Sequence, residues 1–325
     1  MGLGDRISMT PGELAFSLKL NVGVVKQAAG VRSSYSKLSG KGLCNAVERL
    51  AEELEFDRLG WDLSGLNEFQ GDWVSALKFL YSTPVAFPAS LPPSQGKQIR
   101  DLILKESPKR LLEIGCFIGI SSHWIASALE DLGDGVLDSV DTFWSKYPNR
   151  YHFSFLEDSY GHALNALNIS GLSHRINYHL NDSVAFSKRL SVLERFDFMF
   201  IDGDHTFPGM ARDFISYYPH LKPGGIILLH DTNPAHCGWD GPRRFIDLVL
   251  KENPQVAVEE IETEPNYGMA LIRKLDDSDL KISFRNRLIL SFSMIGYEGR
   301  KAVTQNRVSQ LFLNKFVKTM ISYSY

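Results

Sequence analysis

Short apolar runs alternate with longer segments of helical spacing through the middle of the chain, between about residue 95 and residue 275. Apolar runs that stop at glycine or at a charged residue are typical of buried strands in a parallel sheet, and a three-to-four residue spacing is typical of helices. The predicted strands span residues 110–114, 135–141, 176–180, 196–201, 225–230, 256–261 and 269–273. The predicted helices span residues 96–105, 121–132, 155–168, 183–193, 208–220 and 242–252.

This alternation predicts an α/β fold with a doubly wound, mostly parallel, seven-stranded sheet that is Rossmann-like in its connections. The last two strands are separated only by a short turn, EPNYG. Parallel strands need a long crossover connection, so this short turn favours an antiparallel pair at one edge of the sheet.

The two flanking regions have different patterns, and the predicted division of the chain is 1–94, 95–275 and 276–325. The first region holds a helical repeat, NAVERLAEELEF, and an apolar-aromatic stretch, WVSALKFLYS, before the proline-rich linker TPVAFPASLPPS. It predicts a helical layer that serves as a lid or an oligomer contact. The last region mixes basic and aromatic residues and predicts a helical extension.

Composition restricts the classes of function. The chain has 325 residues, of which 44% are hydrophobic and 22% charged, and its net charge is −3, so it offers no basic surface for nucleic acid. No apolar run reaches the ~18 residues that cross a bilayer. The three cysteines are widely spaced and fit neither a disulfide framework nor a zinc site. These features predict a cytoplasmic protein that acts on a small molecule, without membrane or nucleic-acid partners.

A glycine-containing turn follows the first predicted strand and leads into a helix. Its sequence places Glu113 two residues before Gly115, and Gly119 follows in a G-x-x-x-G spacing that differs from the G-x-G-x-x-G of dinucleotide folds. A pyrophosphate needs backbone N–H groups and no nearby carboxylate, so the acid argues for a cationic ligand. S-adenosylmethionine carries an ammonium and a sulfonium group, and it is the predicted cofactor.

Acidic residues follow the next two strands at positions where a nucleoside would bind. Asp141 ends the second strand and could accept hydrogen bonds from both ribose hydroxyls. Asp182 and Ser183 follow the third strand and could contact the adenine ring. An ordinary helix N-cap is the alternative interpretation of Asp182, and the sequence leaves the two balanced.

The fourth and fifth predicted strands end in a second group of polar residues. Asp202 and His205 follow the fourth strand, and His230 and Asp231 end the fifth. If these strands are neighbours, the two carboxylates lie about 5 Å apart across the sheet. A divalent ion such as Mg²⁺, or a proton, would relieve their repulsion. His205 is then placed to act as a general base, whereas His230 is expected to pack beneath the site.

The segment from about residue 95 to residue 275 resembles class I S-adenosylmethionine-dependent methyltransferases. EIGCFIG resembles the family's first motif, VDTF its ribose-binding strand and NDS its adenine-contacting turn. FIDGDHTFPGMARDF together with LKPGGIILLHD is similar to the group that contains macrocin-type sugar O-methyltransferases and cephalosporin-hydroxylase-like proteins. In metal-dependent members, carboxylates at these two strand ends hold Mg²⁺ and a histidine is the base.

This resemblance implies metal ligation by Asp202 and Asp231 and a base at His205. At position 230 the metal-dependent relatives carry an acid, whereas this chain has His230, which removes one expected ligand. The sequence therefore predicts methyl transfer to a hydroxyl of a sugar or another natural-product scaffold, by a protein that forms a homo-oligomer. The alternatives are a nicotinamide-dependent oxidoreductase, which Glu113 disfavours, and a non-catalytic assembly subunit that binds the cofactor.

Overall fold

The computed structural model of the protein describes residues 60–83, 86–143, 158–251 and 253–305. The helix predicted within residues 45–56 lies outside these ranges, as do the first residues of the helix predicted over 155–168 and the end of the C-terminal extension.

A single seven-stranded sheet forms the centre of the described chain. Its strands are β1 Arg110–Ile114, β2 Val136–Asp141, β3 Ile176–Leu180, β4 Phe196–Ile201, β5 Leu221–His230, β6 Val256–Ile261 and β7 Met269–Lys274. Their order in the sheet is β3-β2-β1-β4-β5-β7-β6. Strands β1 to β5 are parallel, and β7 pairs antiparallel with both β5 and β6. The predicted mostly parallel sheet is confirmed, and so is the antiparallel pair at its edge.

Helices lie between the strands and at both ends of the described chain. They are α1 Asp72–Tyr81, α2 Pro93–Glu106, α3 Ile120–Leu132, α4 Ser159–Ser170, α5 Ser183–Ser187, α6 Phe207–Tyr217, α7 Gly241–Phe245 and α8 Phe284–Gln305. Helix α7 continues as one π-helical turn, Ile246–Leu250. Short helical turns are present at Ser64–Glu68, Ala86–Ala89, Tyr218–His220 and Pro234–Cys237.

One predicted helix is wrong in length. The pattern predicts a helix over residues 183–193, but α5 ends at Ser187. The side chains of Val192 and Leu193 are 81% and 86% exposed, so no neighbouring surface covers the apolar positions that suggested the longer helix. Side chains of Ser191 and Glu194 instead accept hydrogen bonds from nearby backbone N–H groups, which competes with helical bonding.

Both faces of the sheet are covered, as the apolar strands require. On β1, Leu111 faces one buried cluster, shared with α2 and α3, whereas Leu112 and Ile114 face a second cluster, shared with α6 and α7. Helix α2 packs on α3 through Gly96, which lies against the indole of Trp124: a Cβ atom at position 96 would be only 2.2 Å from Nε1 of Trp124. This packing fixes the carboxyl ends of the parallel strands on a rigid base.

The described parts of both flanking regions pack onto this core. Residues Leu66, Trp73 and Leu77 belong to the same buried cluster as Leu111, and Leu290 of α8 belongs to the cluster on the opposite face. Within the described ranges, no helix has the length and apolar character that crossing a membrane requires.

Candidate active site

The carboxyl ends of the parallel strands meet at one edge of the sheet, and the predicted site residues gather there. Glu113 lies in β1, Asp141 ends β2 and Asp182 follows β3. Asp202 follows β4 and Asp231 follows β5. The pairing of β1 with β2 and β4, and of β4 with β5, brings the predicted cofactor turn beside the predicted base.

The turn after β1 is packed directly against the loop after β4. Gly115 has φ +84°, and a Cβ atom there would lie 2.4 Å from the carbonyl oxygen of Asp202. Gly119 has φ +93° and precedes α3, where a Cβ atom would lie 2.5 Å from the hydroxyl of Tyr178. Both positions combine a left-handed backbone with a close approach, so both require glycine.

Asp141 holds this turn in place. One carboxylate oxygen of Asp141 accepts hydrogen bonds from the backbone N–H groups of Cys116 and Phe117, each at 2.8 Å, and the other accepts from Phe143 at 2.6 Å. Burial raises the pKa of Asp141, and these three N–H groups partly oppose the shift. The contact of Asp141 with a ribose stays a prediction. The carboxylate that would make this contact is already fixed in orientation by the three backbone hydrogen bonds.

Glu113 lies fully buried beneath the turn. Its Oε2 accepts hydrogen bonds from the hydroxyls of Ser122 and Ser139, each at 2.5 Å. Its Oε1 is buried without a hydrogen-bond partner among the described residues. Burial is the main cause that raises the pKa of Glu113 to about 7, and the serine hydroxyls oppose it. A bound ammonium group would donate the hydrogen bond that Oε1 of Glu113 lacks, so the surroundings of this carboxylate fit the amino-acid end of S-adenosylmethionine.

The residues after β3 have structural roles. The carboxylate of Asp182 caps α5 by accepting a hydrogen bond from the N–H of Ala185 at 3.0 Å, and the hydroxyl of Ser183 donates to Asp213 at 2.5 Å. The N-cap interpretation of Asp182 is therefore confirmed. Its side chain is one-third exposed, and its contact with adenine stays a prediction.

Two carboxylates and two imidazoles form a compact cluster at the ends of β4 and β5, which we call the acid–imidazole cluster: Asp202, His205, His230 and Asp231. His205 Nε2 lies 3.0 Å from Oδ1 of Asp202 and 3.2 Å from Oδ2 of Asp231. His230 Nδ1 lies 3.1 Å from Oδ1 of Asp202 and 3.2 Å from Oδ1 of Asp231. The sequence predicts the proximity of the carboxylates but not the insertion of His230 between them.

Within the cluster, the negative carboxylates and the positive imidazoles stabilise each other's charged forms. Burial alone would lower the pKa of both histidines, but the carboxylates of Asp202 and Asp231 outweigh it and raise the pKa of His205 to about 9 and that of His230 to about 10. Burial alone would raise the pKa of Asp202, but His230 and His205 outweigh it and hold that pKa well below its usual range. The two imidazoles thus relieve the repulsion between the acids.

The backbone and an indole ring shape the exposed side of the cluster. Asp231 has φ +55°, a left-handed conformation that aspartate tolerates better than most residues and that is common at functional sites. The ring of Trp239 stacks on His205, with centroids 6.0 Å apart and planes inclined by 27°. The His205 side chain is 26% exposed and can therefore be reached by an acceptor.

The expected Mg²⁺ can be compared with the side chains present. One ligand atom each from Asp202, His205 and Asp231 lie within 4.8 Å of one another, which is close enough to surround an ion. Mg²⁺ prefers oxygen ligands in an octahedral shell, whereas half of the cluster's side chains present imidazole nitrogens. Two carboxylates and waters could hold the ion, but here both carboxylates already contact both imidazoles, so the donor set as placed does not fit Mg²⁺.

Two residues of the site were not predicted from the sequence. Gln95 of α2 contacts His230, and Tyr297 of α8 donates a hydrogen bond from its hydroxyl to Oδ2 of Asp204 at 2.6 Å. Asp204 lies between Asp202 and His205 on the loop that follows β4. Neither residue stands in a motif: Gln95 is the first residue of the predicted core, and Tyr297 belongs to the C-terminal region.

We expect Tyr297→Phe to loosen the loop that carries His205. Loss of one partly buried hydrogen bond should lower the free energy of unfolding by about 1 kcal/mol, and turnover should fall several-fold because the base is held less firmly. Chemical denaturation and initial-rate measurements check this. Phe292→Ala, an exposed position on the same helix, is the matched control. Equal effects of the two substitutions would contradict a specific role for the hydroxyl.

Comparison with known proteins agrees with this geometry. Residues 112–232 match the sequence profile of a family described as "Methyltransferase domain". A proposed O-methyltransferase of Mycobacterium sp. (strain JLS) is 28% identical over 139 residues, which cover 42% of this chain and 55% of that protein. A caffeoyl-CoA O-methyltransferase of Stellaria longipes is 25% identical over 159 residues, which cover 46% of this chain and 57% of that protein. The chain thus spans little more than half the length of these relatives.

A solved structure shares the fold. The crystal structure of a proposed O-methyltransferase from Klebsiella pneumoniae has a TM-score of 0.50 and 20% sequence identity, and the match covers 64% of this chain and 91% of that one. These findings do not favour the nicotinamide-dependent oxidoreductase. Residues 112–232 are thus similar to the methyltransferase-domain family, and the chain shares the fold of this neighbour.

Proposed function

We propose that this protein transfers the methyl group of S-adenosylmethionine to a hydroxyl oxygen of a small molecule, with His205 as the general base. The single observation that carries the proposal is the contact between the cofactor turn and the base loop. Gly115 lies against the carbonyl of Asp202, and the Asp202 carboxylate contacts His205 Nε2 at 3.0 Å. An acceptor held beside the cofactor would therefore reach the base without any large movement.

The cofactor would be held by the residues of the turn and its neighbours. Glu113 would accept from the ammonium group, Asp141 would bind the ribose hydroxyls, and Asp182 and Ser183 would contact the adenine ring. The backbone at Gly115 and Gly119 would lie against the ligand. When bound, S-adenosylmethionine supplies an electrophilic methyl group.

The chain's own residues would position the acceptor and remove its proton. His205 Nε2 faces two carboxylates, so once it has lost its proton it is a stronger base than a solvated imidazole. Asp202 and Asp231 would orient His205 and the acceptor hydroxyl. The sequence left metal binding by this pair open, and the donor set favours the orienting role. His205 would take the hydroxyl proton as the oxygen attacks the methyl group, whose bond to sulfur breaks so that S-adenosylhomocysteine leaves.

The acceptor is proposed to be a sugar or another natural-product scaffold that carries a hydroxyl. Trp239 offers a flat apolar surface next to the base, which suits the face of a sugar ring or an aromatic ring. The O-methyltransferase names of the relatives support oxygen as the acceptor atom. The homo-oligomer stays a proposal that rests on the two flanking regions.

Isothermal titration of the purified chain with S-adenosylhomocysteine tests this proposal, with NADH as the matched control ligand. We expect micromolar affinity for S-adenosylhomocysteine and no heat from NADH. Glu113→Ala should weaken the affinity, because it removes the buried carboxylate. Absence of S-adenosylhomocysteine binding would overturn the assignment of the turn. Binding without methyl transfer to a panel of glycosides and phenols would favour the non-catalytic assembly subunit.

A further inference from the structure

We propose that His230 takes the place of a divalent cation in this site, and that the protein therefore transfers methyl groups without a metal ion. The inference deepens the proposed function and rests on it. It follows from the hydrogen bonds of the His230 ring, whose Nε2 faces Gln95 and whose Nδ1 faces the two carboxylates.

Gln95 has only one allowed orientation. Its Nε2 lies 2.7 Å from the carbonyl oxygen of Pro265 and 3.0 Å from the hydroxyl of Thr263. A carbonyl oxygen can only accept a hydrogen bond, so the amide nitrogen of Gln95 must face Pro265 and the amide oxygen must face the other way. The Oε1 atom therefore points at His230, at 2.6 Å from Nε2, and His230 must donate that bond.

The opposite nitrogen of His230 faces acceptors only. Its Nδ1 lies between Oδ1 of Asp202 and Oδ1 of Asp231, at 3.1 and 3.2 Å. Two ionised carboxylate oxygens have no hydrogen to offer, so Nδ1 must also carry one. An imidazole with hydrogens on both nitrogens bears a unit positive charge, and this charge lies between the two acids.

The ring is held in this position from all sides. His230 is 5% exposed, the ring of Phe200 packs edge-on against it with centroids 6.0 Å apart, and Gln95 is itself fully buried. Among the described residues, His205 also contacts both carboxylates, at Oδ1 of Asp202 and Oδ2 of Asp231. A metal ion would have to displace hydrogen bonds on both acids and would meet a buried cation, which costs free energy.

His230 thus performs the two tasks of a cation at this place. It neutralises part of the negative charge of the pair, and it fixes the rotation of both carboxylates toward His205. Unlike an ion, it cannot dissociate and it cannot bind an acceptor oxygen in its own shell. The acceptor must then be oriented by the carboxylates and by His205 directly.

The test measures metal binding separately from catalysis. The wild-type protein, freed of metals by chelation, is titrated with Mn²⁺, Mg²⁺ and Zn²⁺ by calorimetry and by Mn²⁺ electron paramagnetic resonance. We expect no stoichiometric binding and unchanged turnover in the presence of a chelator. His230→Glu should bind one Mn²⁺ per chain, and His230→Gln, which is neutral, is the matched control that should not. Stoichiometric binding of any of the three ions by the wild type would overturn the proposal.

A second measurement keeps the proposal testable if His230→Glu does not fold. Long-range ¹H–¹⁵N correlation spectra of the wild type distinguish a protonated ring nitrogen from one with a free lone pair. Both nitrogens of His230 should give the protonated signal near neutral pH, and an unprotonated Nδ1 would contradict the assignment. Binding of S-adenosylhomocysteine is recorded on the same samples. Its loss would count against the proposed function, whereas metal binding with the ligand affinity intact would count only against this inference.

Discussion

His205→Asn is expected to lower kcat by about 10²–10⁴-fold while leaving the affinity for S-adenosylhomocysteine within the error of the measurement. Asparagine keeps a polar group near Asp202 and Asp231 but cannot take a proton from the acceptor. The affinity should persist because the cofactor turn is held by Asp141 and contacts the base loop through backbone atoms at Gly115. The kcat is measured by methyl transfer from labelled S-adenosylmethionine to an acceptor found by screening. The affinity for S-adenosylhomocysteine is measured by calorimetry.

The pH profile should change with the same substitution. Because the pKa of His205 is raised to about 9, the ring is mostly protonated at neutral pH and unable to act as a base. The rate should therefore rise with pH toward about 9 in the wild type and lose this rising limb in His205→Asn. His174→Asn, at an exposed histidine paired with Glu130, is the matched control and should change neither rate nor profile. More than one-tenth of the wild-type rate in His205→Asn would remove this residue from the mechanism.

The parts of the site that could be predicted from the sequence are those that depend on strand order. The apolar runs that stop at Asp202 and at Asp231 become neighbours because consecutive strands of a doubly wound sheet usually pair, except at the switch point, which here separates β3 from β4. The glycine turn after β1 is predictable for the same reason, since its residues are close in the chain. The secondary structure that failed, the second half of the helix over 183–193, had a helical pattern but no surface to pack on.

The parts that could not be predicted depend on contacts between distant segments. Gln95 meets His230 across 135 residues of chain, and Tyr297 meets Asp204 across 93. A glutamine in an amphipathic helix and a tyrosine in a mixed extension carry no local signal, because their partners are chosen by tertiary packing. The role of His230 is hidden for a related reason. The sequence shows that an acid is missing, but only the position of Gln95 shows how the ring is oriented.

The two flanking regions both pack against the predicted core. The first supplies Trp73 and Leu77 to the core beneath the sheet, just ahead of the helix that carries Gln95. The second supplies Tyr297 to the loop that carries the base. Gln95 and Tyr297, which contact the cluster and its loop, both lie outside the matched segment 112–232, so that segment alone should fold less stably and position His205 less well.

Gly115→Ala is expected to reduce stability and cofactor affinity together, because the turn and the base loop share one contact. A Cβ atom at this position would lie 2.4 Å from the carbonyl oxygen of Asp202 and 2.7 Å from Cα of Gly203, and both are backbone atoms that cannot rotate away. The left-handed φ of +84° adds about 1–2 kcal/mol of strain for any residue with a side chain. The total loss in the free energy of unfolding should be about 3 kcal/mol or more.

Gly133→Ala separates the two causes. Gly133 has a similar φ of +71°, but no atom lies within 4 Å of the place that a Cβ atom would take, so its substitution should show the strain alone, about 1–2 kcal/mol. Chemical denaturation of both variants gives the difference, and calorimetry with S-adenosylhomocysteine shows whether only Gly115→Ala loses affinity. Equal losses in the two variants would mean that the turn can move away from β4. The hypothesis that the cofactor turn and the base loop are rigidly held against each other, on which the proposed function depends, would then be wrong.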